Sequence, residues 1–518
     1  MKLALAALSL LCSGAAAQPP LYDIVAPAPG DGEGRTLCAL DDLDADGVPD
    51  FALSAPLREI TSGPNAGFEG VVEARSMRTG ALLWSRENDQ PGGAFGGRLV
   101  RIADVDADGI ADIAVGDNGT PSGGMLRVGR VRILSGADGS TLREWFGTDV
   151  EQYFGSDIVG VPDRDGDGVD DLAVLSRRIF DFVLGSTVEV FSTSTGARLQ
   201  RIDYFISAIA PARRVGRTLD LDGDGVEDWY VQVQRSGDVS APIPGFVEVR
   251  SGATGALIVE LRGQFAGDEY GVAVLVAPDY DGDSVEDLVV VSQYRSTPSV
   301  ISLGFDVRVT IVSGAEQSTL HEFVRDPDNP DESSVVAELV GDLDGDGYHD
   351  LALEIPTSLD SARVLGRVEV LSQVTGLQIH EFTADPGARR FGNDLLAPGD
   401  VDLDGVPDLL AGAAVDSCDF IAPGRVTLRP GPTDVRYSFC EPTTNSSGVR
   451  ALAGATGTNS LAANDLVLEA EGVPPNQFGI FAVGTAPADP VTPPGSRGGR
   501  RKRGGHRRER RPPEEPKG

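Results

Sequence analysis

Histidine is scarce in this chain, four among 518 residues, and that removes most of the raw material for zinc sites and for acid–base catalysis near neutral pH. Cysteine (four), methionine (three) and tryptophan (three) are equally rare. No Gly-x-Ser-x-Gly elbow, zinc motif or phosphate loop occurs, so the common nucleophile and nucleotide signatures are missing. Past the N-terminus no apolar run approaches the ~20 residues that a membrane-spanning helix needs. Basic residues are short as well. Lys and Arg number 44 against 79 Asp and Glu, a net charge of −35, which excludes nucleic acid as a partner of the main body because a polyanion would be repelled.

What is present points to many tight turns between short strands. Glycine (65) and proline (34) are abundant, and 41% of residues are hydrophobic, enough for a sizeable core. The expectation is an all-β protein. Residues 1–17 read MKLALAALSLLCSGAAA, a positive start, an apolar stretch and small residues before a cut after Ala17, as in a secretory signal peptide. The mature protein is then expected outside the cell, at the cell surface or in a periplasm. With Cys12 removed, Cys38, Cys418 and Cys440 remain. At most one internal disulfide can form among them, and Cys418 with Cys440 is the expected pair.

The dominant signal is a repeat. The pattern DxDxDGxxD starts at Asp42, Asp104, Asp163, Asp220, Asp279, Asp342 and Asp400, at spacings of 62, 59, 57, 59, 63 and 58 residues. Each loop leads into a short apolar run, such as Ile113 to Val115 or Leu288 to Val291, that reads as a buried strand. Strand–turn–strand segments of the type VRILSGADGSTLREWF recur further on. An aromatic–glycine pair opens several units: Phe95-Gly96, Phe154-Gly155, Tyr270-Gly271 and Phe391-Gly392. About 60 residues with roughly four strands make one propeller blade. The reading is a seven-bladed β-propeller over 21–440, followed by a small β-rich C-terminal module over 441–486 and a disordered Pro/Gly/Arg-rich tail over 487–518.

In this order, the aromatic–glycine pair, the aspartate loop and the apolar strand resemble the FG-GAP (or VCBS-like) repeats of the integrin α-chain propeller and of many bacterial extracellular proteins. The resemblance implies one calcium in each aspartate loop, on the face opposite the principal ligand-binding surface. Departures accompany it: the GAP tripeptide is degraded, and the aromatic–glycine pair is missing before Asp42, Asp220 and Asp342.

The residues themselves point to the same ion. Calcium is a hard cation that takes six to eight oxygens, and carboxylates at positions 1, 3 and 5 of a tight loop converge on one point. Position 7 can add a backbone carbonyl and Asp at position 9 can close the site. The candidate ligands are Asp42, Asp44, Asp46, Val48 and Asp50; Asp104, Asp106, Asp108, Ile110 and Asp112; Asp163, Asp165, Asp167, Val169 and Asp171; Asp220, Asp222, Asp224, Val226 and Asp228; Asp279, Asp281, Asp283, Val285 and Asp287; Asp342, Asp344, Asp346, Tyr348 and Asp350; and Asp400, Asp402, Asp404, Val406 and Asp408. Up to seven Ca2+ ions are expected. Ser284 replaces the usual glycine at position 6 of the fifth loop, which makes that site the weakest of the set. Position 12, a bidentate Glu in an EF-hand, is apolar or small here from Leu53 to Ala411, so the EF-hand reading fails.

No catalytic residue is assigned. His321 and His380 occupy equivalent places in the repeated LHEF and IHEF strands, His349 lies inside an aspartate loop and His506 in the tail. From Arg497 onward ten basic residues face three acidic ones, about +7, which leaves −42 on the remainder. This tail either tethers the protein to an anionic surface or to the propeller, or is the product of a shifted reading frame. The leading expectation is an extracellular binding or adhesion module for a protein or glycan. A polysaccharide-degrading enzyme on the same scaffold and a structural cell-envelope component are the alternatives.

Overall fold

The computed structural model describes residues 19–432 apart from 67–68, 91, 181–182, 205–211, 234–243, 265–267, 295–305, 326–334, 356–365, 385–387 and 415–422, together with 437–438, 452–456 and 467–471. The described residues are all-β, and no helix among them is long and apolar enough to cross a membrane. Seven four-stranded sheets follow one another along the chain as a seven-bladed β-propeller. Blade 1 runs Leu37–Ala39, Phe51–Glu59, Glu69–Arg75 and Leu82–Glu87; blade 2 runs Arg98–Arg101, Ile113–Asp117, Arg130–Leu134 and Thr141–Phe146. Blade 3 runs Phe154–Val161, Asp171–Phe180, Val183–Phe191 and Arg198–Tyr204; blade 4 runs Ala212–Arg217, Trp229–Val233, Phe246–Arg250 and Leu257–Arg262. Blade 5 runs Glu269–Ala277, Asp287–Tyr294, Asp306–Val312 and Thr319–Arg325; blade 6 runs Ala337–Leu339, Leu351–Ile355, Arg367–Leu371 and Gln378–Thr383.

Blade 7 is completed from the other end of the chain. Phe391–Gly399, Asp408–Ala413 and Pro423–Arg429 supply three strands, and Tyr22–Pro29 adds the outermost, pairing antiparallel with Tyr22 opposite Leu428 and Ile24 opposite Val426. Asp23 fixes this closure, accepting from Arg425 at 2.8 Å and from the Thr427 hydroxyl at 3.1 Å. The strand YDIVAPAP carries no repeat signal, and its place follows from ring closure, which removes the free edge that would otherwise invite pairing with another chain.

The core is divided among the seams. Seven hydrophobic clusters each draw on two neighbouring blades. Along the second strand of blade 2, Ile113 and Val115 face blade 1 while Ala114 faces blade 3. Strands covered on both faces need apolar residues at every position, hence the continuous runs. All seven position-12 residues, Leu53, Val115, Val174, Val231, Val290, Leu353 and Ala411, are fully buried in these clusters.

The aromatic–glycine pair works at the same seams. Phe95 is fully buried against blade 1, and Gly96, at φ 89°, would place a Cβ 2.7 Å from the Cβ of Ser54. Only a residue without a side chain fits that approach. Before Asp42 the glycine half of the pair survives as Gly34, with buried Glu33 in the aromatic position, ion-paired to Arg58. Blade 4 has Ala212 at the glycine position.

Cys38 is free and buried at the seam between blades 1 and 2, where burial pushes its thiol up to about 12. Cys418 and Cys440, the signal segment 1–17 and the tail 487–518 lie outside the described residues. Of the 441–486 region, Leu452–Thr456 and Val467–Glu471 are strands, forming a three-stranded sheet with Tyr437–Ser438. By packing, the chain divides into Met1–Glu441 with Ala453–Glu469, which contains the propeller, and Pro442–Leu452 with Ala470–Gly518.

Candidate metal centres

Every aspartate loop joins the first strand of a blade to the second. In an up-and-down sheet that connection lies at the same end as the turn between strands three and four, so the seven loops share one end of the blades. The carboxylates bind the loop's own backbone in the same way each time. The position-1 aspartate accepts the position-6 N–H at 2.7–2.9 Å and the position-5 N–H at 3.0–3.3 Å in all seven loops. The position-5 aspartate accepts the N–H of Val48, Ile110, Val169, Val226, Val285, Tyr348 or Val406 at 2.8–3.0 Å. These amides hold the position-1 carboxyls of Asp163 and Asp279 below the ordinary carboxylate range.

Position 4 is a requirement that ligand counting does not reveal. Its backbone is left-handed in all seven loops, at Ala45, Ala107, Gly166, Gly223, Gly282, Gly345 and Leu403. Ser284, at position 6 of the fifth loop, also sits at positive φ, 72°, yet its N–H reaches Asp279 at 2.8 Å as the glycines do. The fifth loop therefore keeps the common geometry and carries local strain of about 1 kcal/mol.

Position 9 does more than face a cation. Asp50, Asp112, Asp171, Asp228, Asp287, Asp350 and Asp408 are at most 1% exposed. Each accepts the position-2 N–H of its own loop at 2.7–2.9 Å. In five blades the other oxygen takes an N–H from the segment that follows the third strand, that of Met77, Gly136, Gly252, Gly314 or Gly431. In blades 3 and 6 that oxygen, on Asp171 and Asp350, is buried without a protein partner. Burial raises the carboxyls of Asp112 to about 6, of Asp171 to about 7 and of Asp350 to about 8, with the backbone amides opposing it and the loop's other aspartates adding to it.

In five loops three carboxylates converge with oxygens within 4.8 Å of one another: Asp42, Asp44 and Asp50; Asp104, Asp106 and Asp108; Asp163, Asp165 and Asp167; Asp220, Asp222 and Asp228; Asp279, Asp281 and Asp287. Oxygens that share one calcium at about 2.4 Å can be no further apart than about 4.8 Å. The donor set, carboxylate oxygens alone, suits a hard divalent cation. In blade 1 the position-5 Asp46 is turned to another partner, the Arg78 guanidinium at 3.2 Å.

The histidines belong to the packing. His321, on the outer strand of blade 5, stacks on Tyr280 with centroids 6.3 Å apart, and His380, on the outer strand of blade 6, meets Phe382 edge-on at 4.5 Å. Burial lowers both imidazoles, His380 to about 4.

No family model matches the chain. Among curated proteins it is 28% identical over 252 residues to integrin alpha-PS2 of Drosophila melanogaster, covering 46% of this chain and 17% of that protein. It is 29% identical over 214 residues to integrin alpha-V of Gallus gallus, covering 38% and 19%. The matched part thus spans less than a fifth of either relative's length. Among solved structures, the Dos1 propeller aligns over 84% of this chain and 91% of its own at 10% identity, with a TM-score of 0.43. The repeats, the seven blades and the curated relatives agree that the chain carries an integrin-α-like propeller of the FG-GAP repeat type.

Proposed function

We propose that the protein is a secreted, calcium-loaded propeller acting as an extracellular binding or adhesion module. The observation that carries this reading is the sevenfold recurrence of one acid-to-amide bonding pattern at one end of the blades, in a fold with integrin α-chain relatives. Bound calcium would neutralise carboxylates that repel one another within each loop. A dissociation constant of about 0.1 mM in about 1 mM calcium adds roughly 1.4 kcal/mol per site, or on the order of 10 kcal/mol over seven sites. That equals the stability of an ordinary domain.

At the opposite end the connection 118–129 between the second and third strands of blade 2 is long, whereas the turn 135–140 between its third and fourth strands is short. Long loops on a rigid scaffold are where recognition residues concentrate. A protein partner at this end fits the integrin-type relatives, and no catalytic step is assigned, because the two described outer-strand histidines are packed on rings and held neutral.

The test is a melt of the mature protein in calcium and in chelator, followed by retention on a panel of matrix proteins and polysaccharides scored for both binding and cleavage. Chelation is expected to lower the melting temperature by tens of degrees and to abolish retention. An identical melt in both buffers sinks the calcium reading, and new cleavage products sink the assignment as a binding module.

A further inference from the structure

In a chain of net charge −35, four arginines from the first or second strands of three consecutive blades act electrostatically on one another through Arg177. Arg98 comes from the first strand of blade 2, Arg177 from the second strand of blade 3, and Arg213 and Arg214 from the first strand of blade 4. All four precede the loop end of a first strand or follow it along a second strand, so they lie at the end opposite the aspartate loops. Arg177 is within electrostatic reach of Arg98, Arg213 and Arg214, and its Nη2 donates to the Arg213 carbonyl at 2.7 Å.

One carboxylate is bonded into this group, and both its oxygens are engaged. Asp157 pairs with Arg98 Nε at 2.7 Å and accepts the Val215 N–H at 2.9 Å. Asp394 of blade 7 acts on Arg98 and Arg214 from further away, but it accepts the Leu37 and Leu395 N–H groups at 2.8 and 3.2 Å. Arg177 Nε is buried without a hydrogen-bond acceptor, and Arg213 is exposed. The distant aspartate loops cannot compensate, since charges further apart than a Debye length are screened.

We propose that Arg177, Arg213 and Arg214, with Arg98 behind them, form a binding site for a carboxylate side chain of a protein partner. Guanidinium forks match a planar carboxylate in charge and in bidentate geometry. The strongly negative whole selects against long polyanions, leaving a ligand with one or two local acidic groups. A uronate sugar would want an apolar ring face to lie on, and the nearby ring, Tyr230, is only 7% exposed. The inference rests on the reading of the propeller as a module that binds protein.

The experiment uses the full chain in calcium at low ionic strength, titrated by calorimetry with an end-blocked peptide carrying two adjacent glutamates. The glutamine version of the peptide and a glucuronate oligosaccharide are the comparison ligands. The glutamate peptide is expected to bind, the glutamine peptide not, and the double variant Arg213→Gln/Arg214→Gln to lose at least about tenfold in affinity with an unchanged melting temperature. Among the described residues neither arginine side chain has a hydrogen-bond or ion-pair partner, so the double variant is expected to fold. Undiminished binding by the double variant overturns the site, as does tighter binding of the oligosaccharide. If the peptide fails while a matrix protein is still retained, the site is refuted and the binding module stands. Loss of both refutes the module as well.

Discussion

The two ends of the blades are built on different plans. At the aspartate-loop end every blade repeats the same position-1 hydrogen bonds to within a few tenths of an ångström, whatever the variable residues are. At the other end the blades diverge: the aromatic–glycine pair holds in blades 2, 3, 5 and 7, while blade 1 has Glu33-Gly34 and blade 4 Ala212. The residue three places after the aromatic is Arg98, Asp157, Ala273 or Asp394 according to the blade. A uniform end suits a task repeated in every blade, and a varied end suits one recognition event made from several blades.

The largest expected break in the uniform end comes from position 9. In Asp112→Ala the buried N–H of Gly136 and the half-buried N–H of Val105 lose their acceptor, which costs roughly 1–4 kcal/mol. The exposed position-5 Asp108 bonds only within its own loop, so Asp108→Ala should matter chiefly through the cation. Denaturant melts separate the two roles. Asp112→Ala is expected to be destabilised in calcium and in chelator alike, and Asp108→Ala in calcium alone. Equal behaviour in chelator would show that position 9 does not tie the loop to the neighbouring turn.

That distinction was not legible in the sequence, where positions 1, 3, 5 and 9 are all aspartate. Spacing gave the seven-bladed propeller, because each loop is local and its repeat length fits one blade. It could not give Tyr22–Pro29 as the closing strand, whose role depends on Pro423–Arg429, some 400 residues away. Nor could it assemble Arg98, Arg177 and Arg214, which meet only once blades 2, 3 and 4 are docked. The left-handed position 4 was within reach, since four loops place glycine there, but a search for oxygen ligands passes over it.

A second test sharpens the comparison from the varied end. Glu354, on the second strand of blade 6, is 2% exposed, and burial pushes its carboxyl up to about 8, with Arg390 opposing. A carboxyl raised in the folded state burdens folding only when ionised. The burden is absent below the unfolded value near 4, grows as pH rises, and is complete above about 8. The protein should therefore lose stability between pH 5 and pH 8.5, and Glu354→Gln should lose roughly 3–5 kcal/mol less over that interval. Parallel pH profiles for the two proteins would show that Glu354 finds compensation for its charge.

The smallest expected effect lies back at the loops. Leu403 holds position 4 of the seventh loop at φ 63° and is 73% exposed, so its side chain contributes little packing while its backbone sits where a Cβ is disfavoured. The left-handed conformation costs a non-glycine residue about 1–2 kcal/mol, and the extra freedom of glycine in the unfolded chain returns roughly half of that. Leu403→Gly is thus expected to stabilise by about 0.5–1 kcal/mol in chelator, whereas glycine at an exposed strand position would destabilise. Leu403 also precedes the candidate ligand Asp404, so relaxing it should leave calcium affinity unchanged or slightly higher. A destabilised Leu403→Gly protein would mean that the side chain, not the backbone, is what selection keeps there, and that the seventh loop departs from the plan of the other six.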